Sequence, residues 1–322
     1  MLKMVLSFGI IIAGVFAGQI LRKWHSTKDV VSKKKIEKTT NTIRVVAFFV
    51  LNPIIMVNSY WVIDFSNISI FMLPLICVLV LALNGGIGLL VSKKLKHSCE
   101  QRSAMFAGST FSNLGTIGGL ITFSFFGEKA FAIAAMFILF ESFYNYLLAY
   151  PIVKSLGEGQ KGLQGRIKDL LKDPSIIVYV SAVFVGVALN ISPLSRPQFM
   201  SLYNEYMIPI VSFLLIGTIA FTMDLGKTKT FFKEGIAIIC LKFLVAPVIG
   251  VSLALLFGLQ DIEQGLVVKV VAIMTLVPCG FNAIVVPTVY KADRDVANTV
   301  WMFSMLALAI VVPLEYLFFF VL

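Results

Sequence analysis

The chain has 322 residues, of which 58% are hydrophobic and 14% charged, and its mean hydropathy is +0.93. A soluble domain carries roughly 25% charged residues to wet its surface, so this composition excludes an ordinary water-soluble globule and places the chain in a lipid bilayer. The net charge of +10 sits in short clusters between apolar runs with no nucleic-acid motif beside them, which excludes nucleic acid as the expected partner.

Taken in order, apolar runs long enough to span, at roughly 20 residues each, lie near 4–21, 45–63, 69–92, 103–126, 130–153, 174–192, 206–223, 235–258, 268–290 and 296–321. The first could pass for a signal peptide. Only Lys3 precedes it, however, while Arg22, Lys23, Lys28 and Lys33 to Lys35 follow it, so it reads as a retained first helix. The loops 22–44, 93–102, 154–173, 224–234 and 291–295 hold 8, 4, 5, 3 and 2 Lys and Arg, together 22 of the 27. The opposite side holds only Lys3, Lys129 and Arg196. The positive-inside rule then puts those five loops in the cytoplasm and both termini outside, as expected of a multi-pass protein of the plasma membrane. The four cysteines show no C-x-x-C spacing, and His25 and His97 stand in basic loops, so neither a zinc site nor a disulfide framework is expected.

Ten spans split as five and five, with the first entering from outside and the sixth from inside. That is the arrangement of inverted-repeat transporters. The expected fold is therefore all-α: residues 1–153 as a first five-helix repeat, 154–173 as a cytoplasmic linker, and 174–322 as a second repeat. Asn52-Pro53-Ile54-Ile55 in span 2 is echoed by Ile208-Pro209-Ile210-Val211 in span 7, and spans 5 and 10 each end near a proline, Pro151 and Pro313.

Spans 4 and 9 carry the strongest local signal. The first reads Ser109-Thr110-Phe111-Ser112-Asn113-Leu114-Gly115-Thr116-Ile117-Gly118-Gly119, and the second Val277-Pro278-Cys279-Gly280-Phe281-Asn282-Ala283, followed by Pro287. Glycine costs a helix interior up to about 1 kcal/mol relative to alanine and proline about 3 kcal/mol. Breaks of this kind are tolerated in lipid where protein or a water-lined cavity satisfies the freed backbone. A matched pair points to a midplane substrate site, where the N–H groups opening a half-helix suit a carboxylate. Small residues also serve close helix packing, which is the competing reading of either segment alone. The expected substrate contacts are Asn113, Gly115, Gly118, Pro278, Asn282 and Lys242.

Ionisable residues within spans are costly and usually functional or paired. Glu141 and Asn145 share a helix face and are candidates for coupling. Lys242 is expected either to attract an anion or to neutralise Glu141. Glu315 and Asp224, nearer span ends, are expected at the interface. No enzyme motif such as H-E-x-x-H is present, and no cofactor is called for. Sodium and proton coupling are both compatible with a site of Asn, Thr and carbonyls.

Ser112-Asn113-Leu114-Gly115-Thr116-Ile117-Gly118 resembles the GN-x-G-x-x-G segment of the auxin efflux carrier family, which includes bacterial malate and malonate permeases. The stretch from Pro278 through Tyr290 to Ser304 and Pro313 is similar to that family's C-terminal pattern, and Asn52-Pro53 to its second helix. Leu120 departs from it, where the family often has proline. The resemblance implies two inverted five-helix repeats with crossing broken helices 4 and 9, often assembled as a homodimer. It also implies alternating-access transport of a small organic anion, a mono- or dicarboxylate. A transporter-like sensor that binds such a ligand without moving it is the alternative.

Overall fold

The computed structural model describes residues 2–158, 173–222 and 231–321, all of the regular structure being helical among them. Asp224 and most of the 154–173 linker lie outside the described residues. Among the described residues, seven helical stretches are long and apolar enough to cross a bilayer: Val5–Ser26, Val30–Trp61, Ile68–Lys94, Leu114–Glu158, Gln198–Phe221, Phe232–Leu256 and Arg294–Phe320, with a shorter apolar helix over Ile176–Ile191. Their outer faces carry large apolar side chains, such as Phe184 at 78% exposed, Leu256 at 76% and Phe318 at 66%. Large apolar side chains exposed in such number are unfavourable in water and natural in lipid. The architecture is all-helical, and its long apolar helices are compatible with a multi-pass membrane protein.

In chain order the helices are α1 (Leu2–Ser26), α2 (Val30–Val46), α3 (Asn52–Trp61), α4 (Leu73–Lys94), α5 (Cys99–Thr110), α6 (Gly119–Phe137), α7 (Glu141–Tyr144) and α8 (Tyr150–Glu158). They continue with α9 (Pro174–Ile191), α10 (Gln198–Phe221), α11 (Phe232–Cys240), α12 (Ala246–Leu256), α13 (Leu266–Thr275), α14 (Asn282–Val289) and α15 (Arg294–Phe320). The run expected over 45–63 begins much earlier, at Val30. Asp29 starts it, its carboxylate accepting from Val31 N and Ser32 N, and the lysine-rich residues that follow are good helix formers.

Three π-helical turns each lie just ahead of a proline: Ala47–Leu51 before Pro53, Asn145–Ala149 before Pro151, and Leu241–Val245 before Pro247. Proline has no N–H, and its ring clashes with the carbonyl four residues back. Widening one turn moves that carbonyl aside while the helix continues. Pro313, expected near the end of a span, stands inside α15, which continues to Phe320.

The chain forms two compact units. The first comprises Met1–Asp64, Gly119–Ala135 and Pro174–Met223; the second comprises Phe65–Gly118, Met136–Asp173 and Asp224–Leu322. Each draws on both halves of the sequence. In the first unit α1 lies against α10 across small residues, where a Cβ added at Gly18 would stand 2.3 Å from Gly217 O, a close approach that apolar helices use in lipid. The turn inside α6 falls at Gly127, whose φ of 79° suits glycine. Next to it, Glu128 accepts both guanidinium nitrogens of Arg196 (3.0 and 2.5 Å) and the amide of Asn204 (2.8 Å). Arg196 Nε donates to Asn58 Oδ1 at 2.6 Å, so this bidentate pair ties three segments of the unit together.

In the second unit, the runs expected near 103–126 and 268–290 are interrupted. The first stops at Thr110 and restarts in a π-helical turn over Leu114–Gly118; the second stops at Thr275 and restarts at Asn282. Ser92 Oγ and Glu234 Oε1 each bond a nitrogen of the buried His97 ring at 2.8 Å, fastening the loop before α5 to α11.

Candidate site at the crossing of two interrupted helices

α5 opens with a capping box in which Ser98 and Gln101 exchange side-chain and backbone bonds. It ends where Phe111 turns extended, at φ −76° and ψ 117°. The stretch 111–113 then meets the stretch 278–280 as an isolated antiparallel bridge centred on Ser112 and Cys279. Asn113 N donates to Pro278 O at 2.9 Å, and Gly280 N donates to Phe111 O at 3.0 Å. These two bonds satisfy backbone groups that the interruptions would otherwise leave orphaned in an apolar interior. The crossing is tight. A Cβ at Gly280 would stand 2.7 Å from Ser112 O, and one at Gly118 3.0 Å from Met274 Sδ.

Side chains brace this crossing from four directions. Cys279 N donates to Ser304 Oγ of α15 at 3.0 Å, and Cys279 Sγ to Gly108 O at 3.2 Å. Thr110 Oγ1 donates to Leu81 O at 3.0 Å and bonds Tyr144 OH at 2.7 Å. Asn84 Nδ2 donates to Ser109 O at 2.9 Å. Lys242 reaches in from the π-helical turn of its own helix and is fully buried. Its Nζ donates to Ser109 O at 2.7 Å, Phe111 O at 3.2 Å and Ser112 Oγ at 2.7 Å. An ammonium has three protons, and all three are committed here.

Lys242, expected either to attract an anion or to neutralise Glu141, has its hydrogen bonds within the crossing. It forms no ion pair with Glu141 among the described residues, whose charged contacts include His97–Glu234 and Arg196–Glu128. It also has no proton left with which to hold a substrate directly. The reason is the C-terminus of α5. Its last carbonyls lack helical partners and carry partial negative charge, and the lysine satisfies them. Glu141 begins the short α7 and is half-buried. It stands beside the Asn145 side chain and close enough to Lys242 to interact electrostatically. Asn145 is buried in a π-helical turn, with its Oδ1 lacking a hydrogen-bond partner.

The remaining expected contacts divide by role. Asn113 is 8% exposed. Its side-chain oxygen accepts from Ile117 N at 3.4 Å, so it caps the second half-helix. Pro278 supplies the carbonyl of the bridge, and Gly118 the close contact with α13. Gly115 is exposed within a mostly buried stretch, and a Cβ there would meet only Ile138 at 3.9 Å. Asn282 is half-buried at the first position of α14. Gly115 and Asn282 therefore leave polar groups accessible at the two half-helix starts.

Glu315, expected at an interface, is instead 3% exposed, with neither carboxylate oxygen partnered. It follows Ser304, Leu308 and Val312 along the buried face of α15. Among the described residues, no cluster of three or more His, Cys, Asp or Glu side chains could hold a metal ion. Ser109, Phe111 and Asn84 went unforeseen, because a backbone carbonyl leaves no mark in a sequence and Asn84 sits in an apolar run. No protein-family model and no curated protein matches the chain.

Proposed function

We propose that the chain is a secondary transporter of a small organic anion, a mono- or dicarboxylate, working by alternating access. The observation that carries this reading is the paired crossing, in which Asn113 N bonds Pro278 O and Gly280 N bonds Phe111 O. Two interrupted helices meeting this way bring two half-helix starts together, and such starts present N–H groups and partial positive charge to an anion. We assign substrate contact to Asn282 and the backbone around Gly115, with Asn113, Gly118 and Pro278 shaping the crossing. Lys242 adds positive charge from behind it. Glu141 and Asn145, beside the lysine, remain the coupling candidates.

Ten spans in two inverted five-helix repeats, with both termini outside, is the topology we propose. The loop charges support it, as does the position of the two interruptions in the fourth and ninth apolar runs. The resemblance of Ser112 to Gly118 and of Pro278 to Pro313 to the auxin efflux carriers favours the same substrate class.

Counterflow tests the function. Proteoliposomes preloaded with an unlabelled mono- or dicarboxylate should accumulate the labelled compound transiently, and protein-free vesicles should not. Saturable binding of the anion without counterflow would replace the transporter with a sensor. Absence of both across a panel of carboxylates would remove the anion reading.

A further inference from the structure

The seat of Lys242 is built for a cation. Three oxygens, Ser109 O, Phe111 O and Ser112 Oγ, converge on Nζ at 2.7, 3.2 and 2.7 Å. Two of them are carbonyls freed by the end of α5, and Phe111 O also takes the N–H of Gly280 across the bridge. Unwound carbonyls and half-helix C-terminal ends are the groups that coordinate a coupling sodium ion in transporters with discontinuous helices. Here the same kind of oxygen set is filled by an ammonium fixed to the chain.

We infer that Lys242 is a tethered cation occupying the place a sodium ion would otherwise need, so that the crossing is assembled without a soluble cation. The lysine is a positioning residue: it holds the bridge that sets the half-helix starts, and does not itself grip the substrate. The seat rests on the geometry of the crossing alone. Its consequence, carboxylate transport independent of sodium, rests on the transport reading above.

Thermal unfolding of the purified protein tests the seat without any substrate, so failure of this inference is distinguishable from failure of the transport reading. The wild type should melt at the same temperature in sodium chloride and choline chloride of equal ionic strength. Lys242→Ala removes three carbons and the ammonium, which together have the shape of propylammonium. The variant should melt lower in choline, and propylammonium should restore about half of the loss or more by binding the folded form. Neutral 1-propanol, which fills the same volume, should restore little. The inference is overturned by sodium-specific stabilisation of the wild type, by equal rescue with propanol, or by no response to propylammonium. Should the variant not survive solubilisation in choline, propylammonium is supplied from that step onward. Monodisperse protein then supports the seat, and aggregation in both salts overturns it.

Discussion

Gly280→Ala is the sharpest test of the crossing. The added Cβ would lie 2.7 Å from Ser112 O, 3.0 Å from Ser112 C and 3.4 Å from Asn113 N. All three are backbone atoms, so no side chain can swing away to make room. Overpacking of this kind costs about 1–3 kcal/mol. Parting the strands would also weaken two backbone hydrogen bonds, worth about 0.5–1.5 kcal/mol each. The combined loss is about 2–6 kcal/mol, or a drop in melting temperature on the order of 5 °C or more. Gly86→Ala is the internal control. It lies inside α4 with nothing within 4 Å of an added Cβ, so alanine should be neutral or stabilising by up to about 1 kcal/mol. Melting curves of the two variants, followed by the fluorescence of a thiol dye on the buried Cys77 and Cys279, give the comparison. Equal stability of Gly280→Ala and wild type would refute the close crossing.

Other expectations follow from the same structure. Asn282→Ala should lower anion affinity roughly ten- to a hundred-fold, the value of a hydrogen bond to a charged group, while leaving the melting temperature near wild type; unchanged counterflow would take Asn282 out of the site. Arg196→Ala should destabilise by about 2–4 kcal/mol, because it strands a largely buried Glu128, and the double variant with Glu128→Gln should recover part of that in the same melts. Glu315→Leu should raise stability by about 1–3 kcal/mol, since a buried carboxylate without partners is replaced by a hydrocarbon of similar size; destabilisation would reveal a partner for it. In intact cells, permeant and impermeant maleimides should distinguish the exposed Cys99 as cytoplasmic, and its labelling by the impermeant reagent would reverse the proposed orientation.

Much of the second unit was legible in the sequence, because its signals are chemical. Glycine, proline and asparagine in the middle of apolar runs cannot continue a helix cheaply. The interruption over Leu276 to Phe281 falls on Pro278 and Gly280, whereas that over Phe111 to Asn113 holds only Asn113 of these residues, and Gly115 and Gly118 lie in the π-helical turn that follows. The π-helical turns were less legible, although a proline two residues beyond each of three of them is a signal that could have been used. The hydrogen-bond partners of Lys242 were not legible, because they are mostly main-chain oxygens. Charge alone offered an anionic substrate or Glu141, while the groups the ammonium bonds are the carbonyls ending α5 and the Ser112 hydroxyl. Glu315 was misplaced for a related reason. Its distance from the chain end suggested an interface, but its register with Ser304 and Val312 decides which way it faces.

The central claim, that the crossing is where the anion binds, is tested most directly by substrate protection of a single thiol. Gly115→Cys, on a background lacking the four native cysteines, puts the thiol at an exposed position where its Cβ meets nothing nearer than 3.9 Å. The account predicts that a carboxylate active in counterflow slows maleimide modification of position 115 in a saturable manner. A second protein keeping only the native Cys99 should react at the same rate with and without the anion. Equal modification of position 115 in the presence and absence of an anion that the protein demonstrably transports would contradict it.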